Sequence, residues 1–407
     1  MTTQANSSAA TATSGARPPL LSRALLLRFV SMTGASVSFF LLLSAVPAHV
    51  GRGAAGLATG ALMLTTVLGE LAGPRIVGRY GTKGPLMAGL FLLGAPAPAL
   101  PLSDGPAWTV LVCLVRGLGF AVTLVAGGAL TAALIPAERR GEGLALVGVV
   151  GGVSSLVALP LGVWLTGNAG YGPATAAAGV VALAAIPSVP ALREGARGGR
   201  GTPGPRSTDS GPKALGMVAA VRSAGQRRPA VVFATTALAA GILVTFLPLA
   251  VPRGSAGVAT AALLAQNAAS TAARWVAGRY GDRHGSGRLV APGLVLSAAG
   301  VLAVAATSRP VAVLVGALVF GTGFGVAQNA TLALMYSRVS RASYGTVSAL
   351  WNLAYDGGMG VGAAGFGLLA GRTGYGWAFV LTAVLMTGAL GPAVRDRRAG
   401  HAPPHGR

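Results

Sequence analysis

Charge is what this sequence has least of. Of its 407 residues only 10% are Asp, Glu, Lys or Arg, against about a quarter in a water-soluble domain, so the chain lacks the polar surface that folding in water requires. Acidic residues are scarcer still, nine in all, and only Lys83 and Lys213 among the 31 basic residues are lysine. The single cysteine, Cys113, lies inside an apolar run, which excludes a disulfide framework and a cysteine-based metal site and leaves a buried packing thiol. Four histidines, His49, His284, His401 and His405, fall at loops or tails, so no histidine proton relay is expected. There is no nucleotide-binding glycine loop, no metal-ligand spacing and no nucleophile with its base. The segments outside the apolar runs are also too short for a catalytic domain, which sets an enzyme aside. The net charge of +22 would suit nucleic acid if it formed one basic face, but it is dispersed in short clusters, which argues against that partner.

Between those clusters run apolar stretches of roughly 20 residues, long enough for a helix to cross a bilayer core of about 30 Å. Lacking period-2 alternation, they predict helices rather than barrel strands. Spans are expected at about 24–47, 54–77, 85–103, 107–134, 143–166, 173–192, 229–251, 256–277, 288–308, 311–336, 343–370 and 374–393. The fold class is therefore all-α membrane protein, with twelve transmembrane helices in two six-helix bundles and the lipid bilayer as solvent. The bundles are 24–192 and 229–393, joined by a linker over 193–228 and flanked by a polar tail over 1–23 and a basic tail over 394–407. The first apolar run exceeds the usual signal-peptide core of about 7–15 residues and is taken as an uncleaved span. Within the linker, GARGGRGTPGPRSTDSGP has no packed-core pattern, whereas Lys213 to Arg228 predicts a short amphipathic helix on the membrane face.

Placing both termini in the cytoplasm puts 24 basic residues on the inner side and four, Arg52, Arg253, Arg309 and Arg372, on the outer. That asymmetry is the positive-inside pattern. Trp108, Trp164, Tyr171, Tyr375 and Trp377 fall at outer ends as an aromatic belt. The halves also repeat. Gly117, Gly119, Phe120 and Val122 recur as Gly321, Gly323, Phe324 and Val326 at an offset of 204, and Gly78-Arg79-Tyr80-Gly81 recurs as Gly278-Arg279-Tyr280-Gly281 at an offset of 200. Two related halves follow.

These features resemble the major facilitator superfamily. Its loop signature, approximately G-x-x-x-D-R-x-G, is matched by Gly278, Asp282, Arg283 and Gly285. Registered on the shared G-R-Y-G, the first-half copy keeps Gly78 and Arg79 but has Thr82 for the Asp and Lys83 for the Arg. The resemblance implies that Asp282 latches one access state by sitting against a helix N-terminus, an attraction of about 0.3–2 kcal/mol. Arg116-Gly117-Leu118-Gly119 resembles the family's intramembrane Arg motif. Pro160 and Gly162 resemble a helix-bend element of antiporters, with Leu159 in place of its first Gly. Arg139-Arg140-Gly141 entering the fifth span, and Tyr344-Gly345 through Asp356-Gly357-Gly358 in the eleventh, look like bacterial drug and metabolite efflux members, which implies a multi-pass protein of the bacterial cytoplasmic membrane, monomeric, without a cofactor and driven by an ion gradient, here protons.

An ionisable group in hydrocarbon costs at least about 2.5–3.5 kcal/mol, so each demands a reason. Arg28 and Arg274, near span ends, are expected to snorkel. Glu70 is either a packing or gating residue paired with a cation, or a proton carrier; the G-R-Y-G register pairs it with Ser270. Arg116 either holds an anionic group and acts on a nearby carboxyl, or bonds a backbone carbonyl. Asp356, near mid-span, either takes up and releases protons or caps locally. Gln328, Asn329, Asn267, Trp351, Asn352 and Tyr355 are candidate cavity residues for a small-molecule substrate. Together these predict proton-coupled efflux by alternating access, with nutrient uptake on the same architecture as the alternative and a non-transporting sensor as a remote one.

Overall fold

The computed structural model describes residues 22–135, 140–191, 216–252, 256–340 and 343–399. The N-terminal tail as far as residue 21, Arg139, the linker over 193–215, Arg253, Arg341 and the tail from residue 400 lie outside them. Twelve helices of spanning length are present among the described residues: α1 (Arg23–Gly51), α2 (Gly53–Tyr80), α3 (Lys83–Leu102), α4 (Pro106–Leu134), α5 (Arg140–Asn168), α6 (Tyr171–Ser188), α7 (Ala224–Ala250), α8 (Ala256–His284), α9 (Gly287–Val304), α10 (Pro310–Tyr336), α11 (Tyr344–Thr373) and α12 (Tyr375–Arg395). Ten are apolar enough to cross a membrane by composition alone. The other two, α8 and α11, are as long but carry the intramembrane amides, Arg274 and Asp356. Both face other helices there, as the burial of Gln266, Ser270 and Asp356 shows.

Local chemistry sets the helix ends. Ser22 caps α1 by accepting a hydrogen bond from the Leu25 amide at 3.2 Å. Pro106 and Pro310 open α4 and α10, where a missing N–H costs nothing. Gly81 ends α2 at φ 73° and Gly285 follows α8 at φ 87°; Gly170 precedes α6 at φ 96° and Gly374 precedes α12 at φ 79°. L-residues seldom adopt that left-handed backbone. Each pair is separated by 204 residues, so the duplication runs through turns and helices in one register.

Interior packing repeats in that register too. Gly119 of α4 lies against α3, where a Cβ would come within 2.8 Å of the Gly89 carbonyl oxygen, and Gly323 of α10 meets the Gly293 carbonyl oxygen of α9 at 2.7 Å. Gly117 abuts the Leu62 carbonyl and Gly321 the Gln266 carbonyl in the same way. Small residues admit such backbone approach, which is how helices associate when lipid tails are as apolar as their side chains.

The register corrects the alignment drawn from G-R-Y-G. Gly81 is equivalent to Gly285, Arg79 to Arg283 and Gly78 to Asp282, so Thr82 and Lys83 match Ser286 and Gly287 at the start of α9 rather than the motif's Asp and Arg. The first-half loop thus keeps the motif's Arg and closing Gly and has Gly78 for the acid. Glu70 accordingly pairs with Arg274, not Ser270.

Residues 213–215 of the helix predicted over 213–228 lie outside the described residues; the rest is divided at Ser223, with Met217–Arg222 helical and α7 beginning at Ala224. Ala220 is buried with Met335, Val347 and Leu350, which ties the segment to the ends of α10 and α11. With an even number of helices, the start of α1 and the end of α12 lie on one face, called here the termini face. The five belt aromatics occupy helix ends on the opposite face, Trp164 and Trp377 with exposed side chains.

Candidate functional site

The two bundles meet along two seams, α5 against α8 and α2 of the first against α7 and α11 of the second, and the second seam is the more closely packed. Gly56 sits against the Ala363 carbonyl and the Phe246 ring, Gly60 against Ala364, and Gly360 against Met63. Thr245 Oγ1 donates to Thr59 Oγ1 at 3.1 Å across the same seam. All these contacts fall in the part of α2 remote from the termini face, so the bundles are held shut on that side.

Where the tight packing ends, Glu70 of α2 and Asp356 of α11 come together with their carboxyls in side-chain hydrogen-bonding reach. Asp356 is 6% exposed, and Glu70 Oε1 is buried and receives no hydrogen bond from any described donor. Neither forms an ion pair among the described residues. Two carboxylates repel, and two carboxyls bond only when one carries a proton. The contact therefore has two states, bonded and repelling, that differ by one proton. Of the two alternatives for Glu70, the cation partner is not present among the described residues, and a second acid stands beside it instead. Asp356 also opens on a groove of about 650 Å³ bounded by α2, α4 and α11, otherwise apolar, whose walls include the outward-facing Leu57, Leu64 and Val361.

Within the second bundle lies a smaller cavity of about 310 Å³, lined by Arg274 of α8, Gln328, Asn329, Leu332, Ala333 and Tyr336 of α10, and Trp351 of α11. Gly278, the first glycine of the loop motif, has no side chain to displace the Asn329 amide, which lies 3.4 Å from where a Cβ would stand. Trp351 Nε1 donates to Thr331 Oγ1 at 3.2 Å, and its ring stacks on Phe233 at 4.3 Å. Tyr355 extends the same aromatic cluster, 5.8 Å from Phe233 and 6.3 Å from Phe324. Asn267 instead donates to the Leu263 carbonyl of its own helix at 2.8 Å, and Asn352 is half-buried on α11 outside the cavity lining.

Arg28 and Arg274 are placed differently from expectation, and Arg116 takes one of its two expected arrangements. Arg28 does not snorkel: it is 4% exposed and donates to the Gly127 carbonyl and Thr131 Oγ1, both at 3.0 Å, and to Ser31 Oγ at 2.8 Å. Gly127 leaves room for that guanidinium. Arg274 also turns inward, with a buried Nε. Arg116 is 2% exposed and donates to the Leu93 carbonyl at 3.1 Å and the Ser38 carbonyl at 3.0 Å. It ties α1, α3 and α4 together inside the first bundle, away from Asp356, in the backbone-bonding arrangement. Its equivalent in the second bundle is the buried Phe320.

At the termini face, Asp282 and Arg283 are exposed, and Asp282 makes no hydrogen bond or ion pair among the described residues, so the latch implied by the loop motif is not engaged in this conformation. Arg79 lies over the Tyr80 ring at 5.5 Å, and Gly78 borders open space. Pro160 is accommodated inside a continuous α5, and Gly162 packs on the Leu41 carbonyl of α1, next to a 2.7 Å bond from Ser44 Oγ to the Leu159 carbonyl.

A family profile described as Major Facilitator Superfamily matches residues 24–363 and 230–406. No curated protein matches the chain significantly. Among solved structures, a bacterial homolog of the human lysosomal transporter Spinster, in an inward-facing, unoccupied conformation, is similar with a TM-score of 0.74 at 14% identity, over 96% of this chain and 100% of that one. The nucleoside transporter NupG is similar with a TM-score of 0.68 at 13% identity, over 94% of this chain and 99% of its own. A point mutant of NupG is similar with a TM-score of 0.69 at 12% identity, over 93% and 99%.

Proposed function

The chain belongs to the major facilitator superfamily, and from that premise we propose that it is a secondary transporter that exports a small organic compound in exchange for protons, by alternating access between its two bundles. The observation that carries the proton coupling is the contact between Glu70 and Asp356, because it joins one carboxyl from each bundle at the end of the seam. With a proton on the pair, α2 and α11 are bonded and the face away from the termini stays shut. Without it, two like charges face each other in hydrocarbon and the seam opens. Coulomb repulsion of two carboxylates about 4 Å apart is on the order of 4 kcal/mol at an effective dielectric of 20. That is enough to invert the populations of two conformers separated by a few kcal/mol.

In this reading the bare, exposed Asp282 belongs to the state open toward the termini face, and its engagement belongs to the opposite state. The protein works as a monomer in the bacterial cytoplasmic membrane with its termini in the cytoplasm, and no cofactor takes part. Proton-driven efflux from everted vesicles tests the assignment: Asp356→Asn should abolish its dependence on the pH gradient, and an unchanged dependence would overturn it. Uptake by the same cycle run in reverse is separated from export by comparing drug sensitivity and substrate accumulation in cells with and without the gene.

A further inference from the structure

The symmetry that pairs Glu70 with Arg274 places an acid in one bundle where the other has a base, at one depth. Glu70 meets Asp356, whereas no described residue accepts a hydrogen bond from Arg274, and its Nε is buried without a partner. A guanidinium stays charged at any physiological pH, and leaving its buried Nε without a partner is costly; the residue as a whole is half-buried. It nevertheless faces a cavity rather than a counter-charge. The Oε1 of Gln328 on the same cavity is likewise buried with no donor. Asn329, Leu332, Ala333, Tyr336 and Trp351 complete the lining. Arg274 Nε lacks an acceptor and Gln328 Oε1 lacks a donor, while the Trp351 of the lining is backed by the buried Phe233, on which it stacks at 4.3 Å with the rings 11° from parallel.

We infer that this cavity is a binding site for a planar organic anion, whose carboxylate is taken by the Arg274 guanidinium and whose ring lies against Trp351, with Gln328 accepting from any N–H or O–H the compound carries. Water serves Arg274 when the site is empty, and an anion matches its fork better. About 310 Å³ accommodates one or two fused rings with a carboxylate. The inference rests on the transport reading only in calling the bound anion a substrate.

The test is an equilibrium titration of the purified full chain with 2-naphthoate and, in parallel, its neutral isostere 2-naphthamide, in wild type, Arg274→Gln and Arg274→Lys. Because a charge-assisted bond is being removed, naphthoate should bind saturably to wild type and about tenfold or more weaker to Arg274→Gln, with Arg274→Lys between them. The amide should bind weakly to all three. Equal affinity for acid and amide, undiminished naphthoate binding in Arg274→Gln, or no saturable binding to wild type would each overturn the assignment. Should Arg274→Gln fail to elute as a monodisperse species, the acid-to-amide ratio in wild type and the Arg274→Lys affinity decide the matter. The titration is made without a proton gradient, so a failure of coupling at Asp356 leaves its outcome untouched.

Discussion

Replacing Gly119 or Gly323 by Ala tests whether the two halves pack in one register. A Cβ on Gly119 would stand 2.6 Å from the Leu93 amide nitrogen and 2.8 Å from the Gly89 carbonyl oxygen; a Cβ on Gly323 would stand 2.7 Å from the Gly293 carbonyl oxygen. Ordinary contact begins at 3.4 Å, about 0.6–0.8 Å more, and because the obstructing atoms are backbone, α3 or α9 must move as a body. Overpacking of this kind costs about 1–3 kcal/mol. The gain in helix propensity from Gly to Ala, about 1 kcal/mol, is common to every site. It cancels against a control at Gly365 or Gly357, where added methyls meet open space. Gly119→Ala and Gly323→Ala should therefore each lie about 1–3 kcal/mol below Gly365→Ala in SDS-titrated unfolding in mixed micelles, and by similar amounts. Gly323→Ala as stable as Gly365→Ala would refute the packing argument. A loss confined to one half would refute the shared register.

Three further outcomes are expected. Gly60→Cys with Ala364→Cys should form a disulfide across the seam, since the Cβ positions are 3.2 Å apart and a small backbone adjustment reaches disulfide geometry; oxidation should then stop transport and reductant restore it, measured in proteoliposomes. Arg116→Leu, which strips the Leu93 and Ser38 carbonyls of a buried donor, should cost about 1–3 kcal/mol per orphaned group in unfolding assays; the milder Arg116→Lys should keep the pH dependence of transport. Asp282→Asn should change the stability of the resting protein by less than about 0.5 kcal/mol because the side chain is exposed here, while slowing turnover if the loop must engage in the opposite state.

Much of the architecture was legible because hydrocarbon leaves so few options. Apolar length located the helices, and the glycines of α4 and α10 carried the true offset of 204. The G-R-Y-G repeat misled by four residues, and four residues is one helical turn, which leaves each position on the same face of its helix. Ser270 and Arg274 are thus near neighbours along α8, and choosing between them needed the backbone turns at Gly81 and Gly285. Intramembrane ionisable groups were visible as such, but their partners were not. Arg28 and Arg116 find backbone carbonyls, which carry no sequence signature. The meeting of Glu70 with Asp356 depends on how two bundles dock, and nothing local to either helix encodes that.

Whether that meeting holds a proton is the centre of the account, and infrared difference spectroscopy of the membrane-embedded protein, titrated from acid to alkaline pH, addresses it without a substrate. One buried carboxylic-acid C=O band should lose intensity as the pH rises, and both Glu70→Gln and Asp356→Asn should shift or abolish it, because each removes half of the same hydrogen bond. A band that survives unchanged in both variants, or the absence of any buried acid band in wild type, would contradict the claim that these two carboxyls share a proton across the seam.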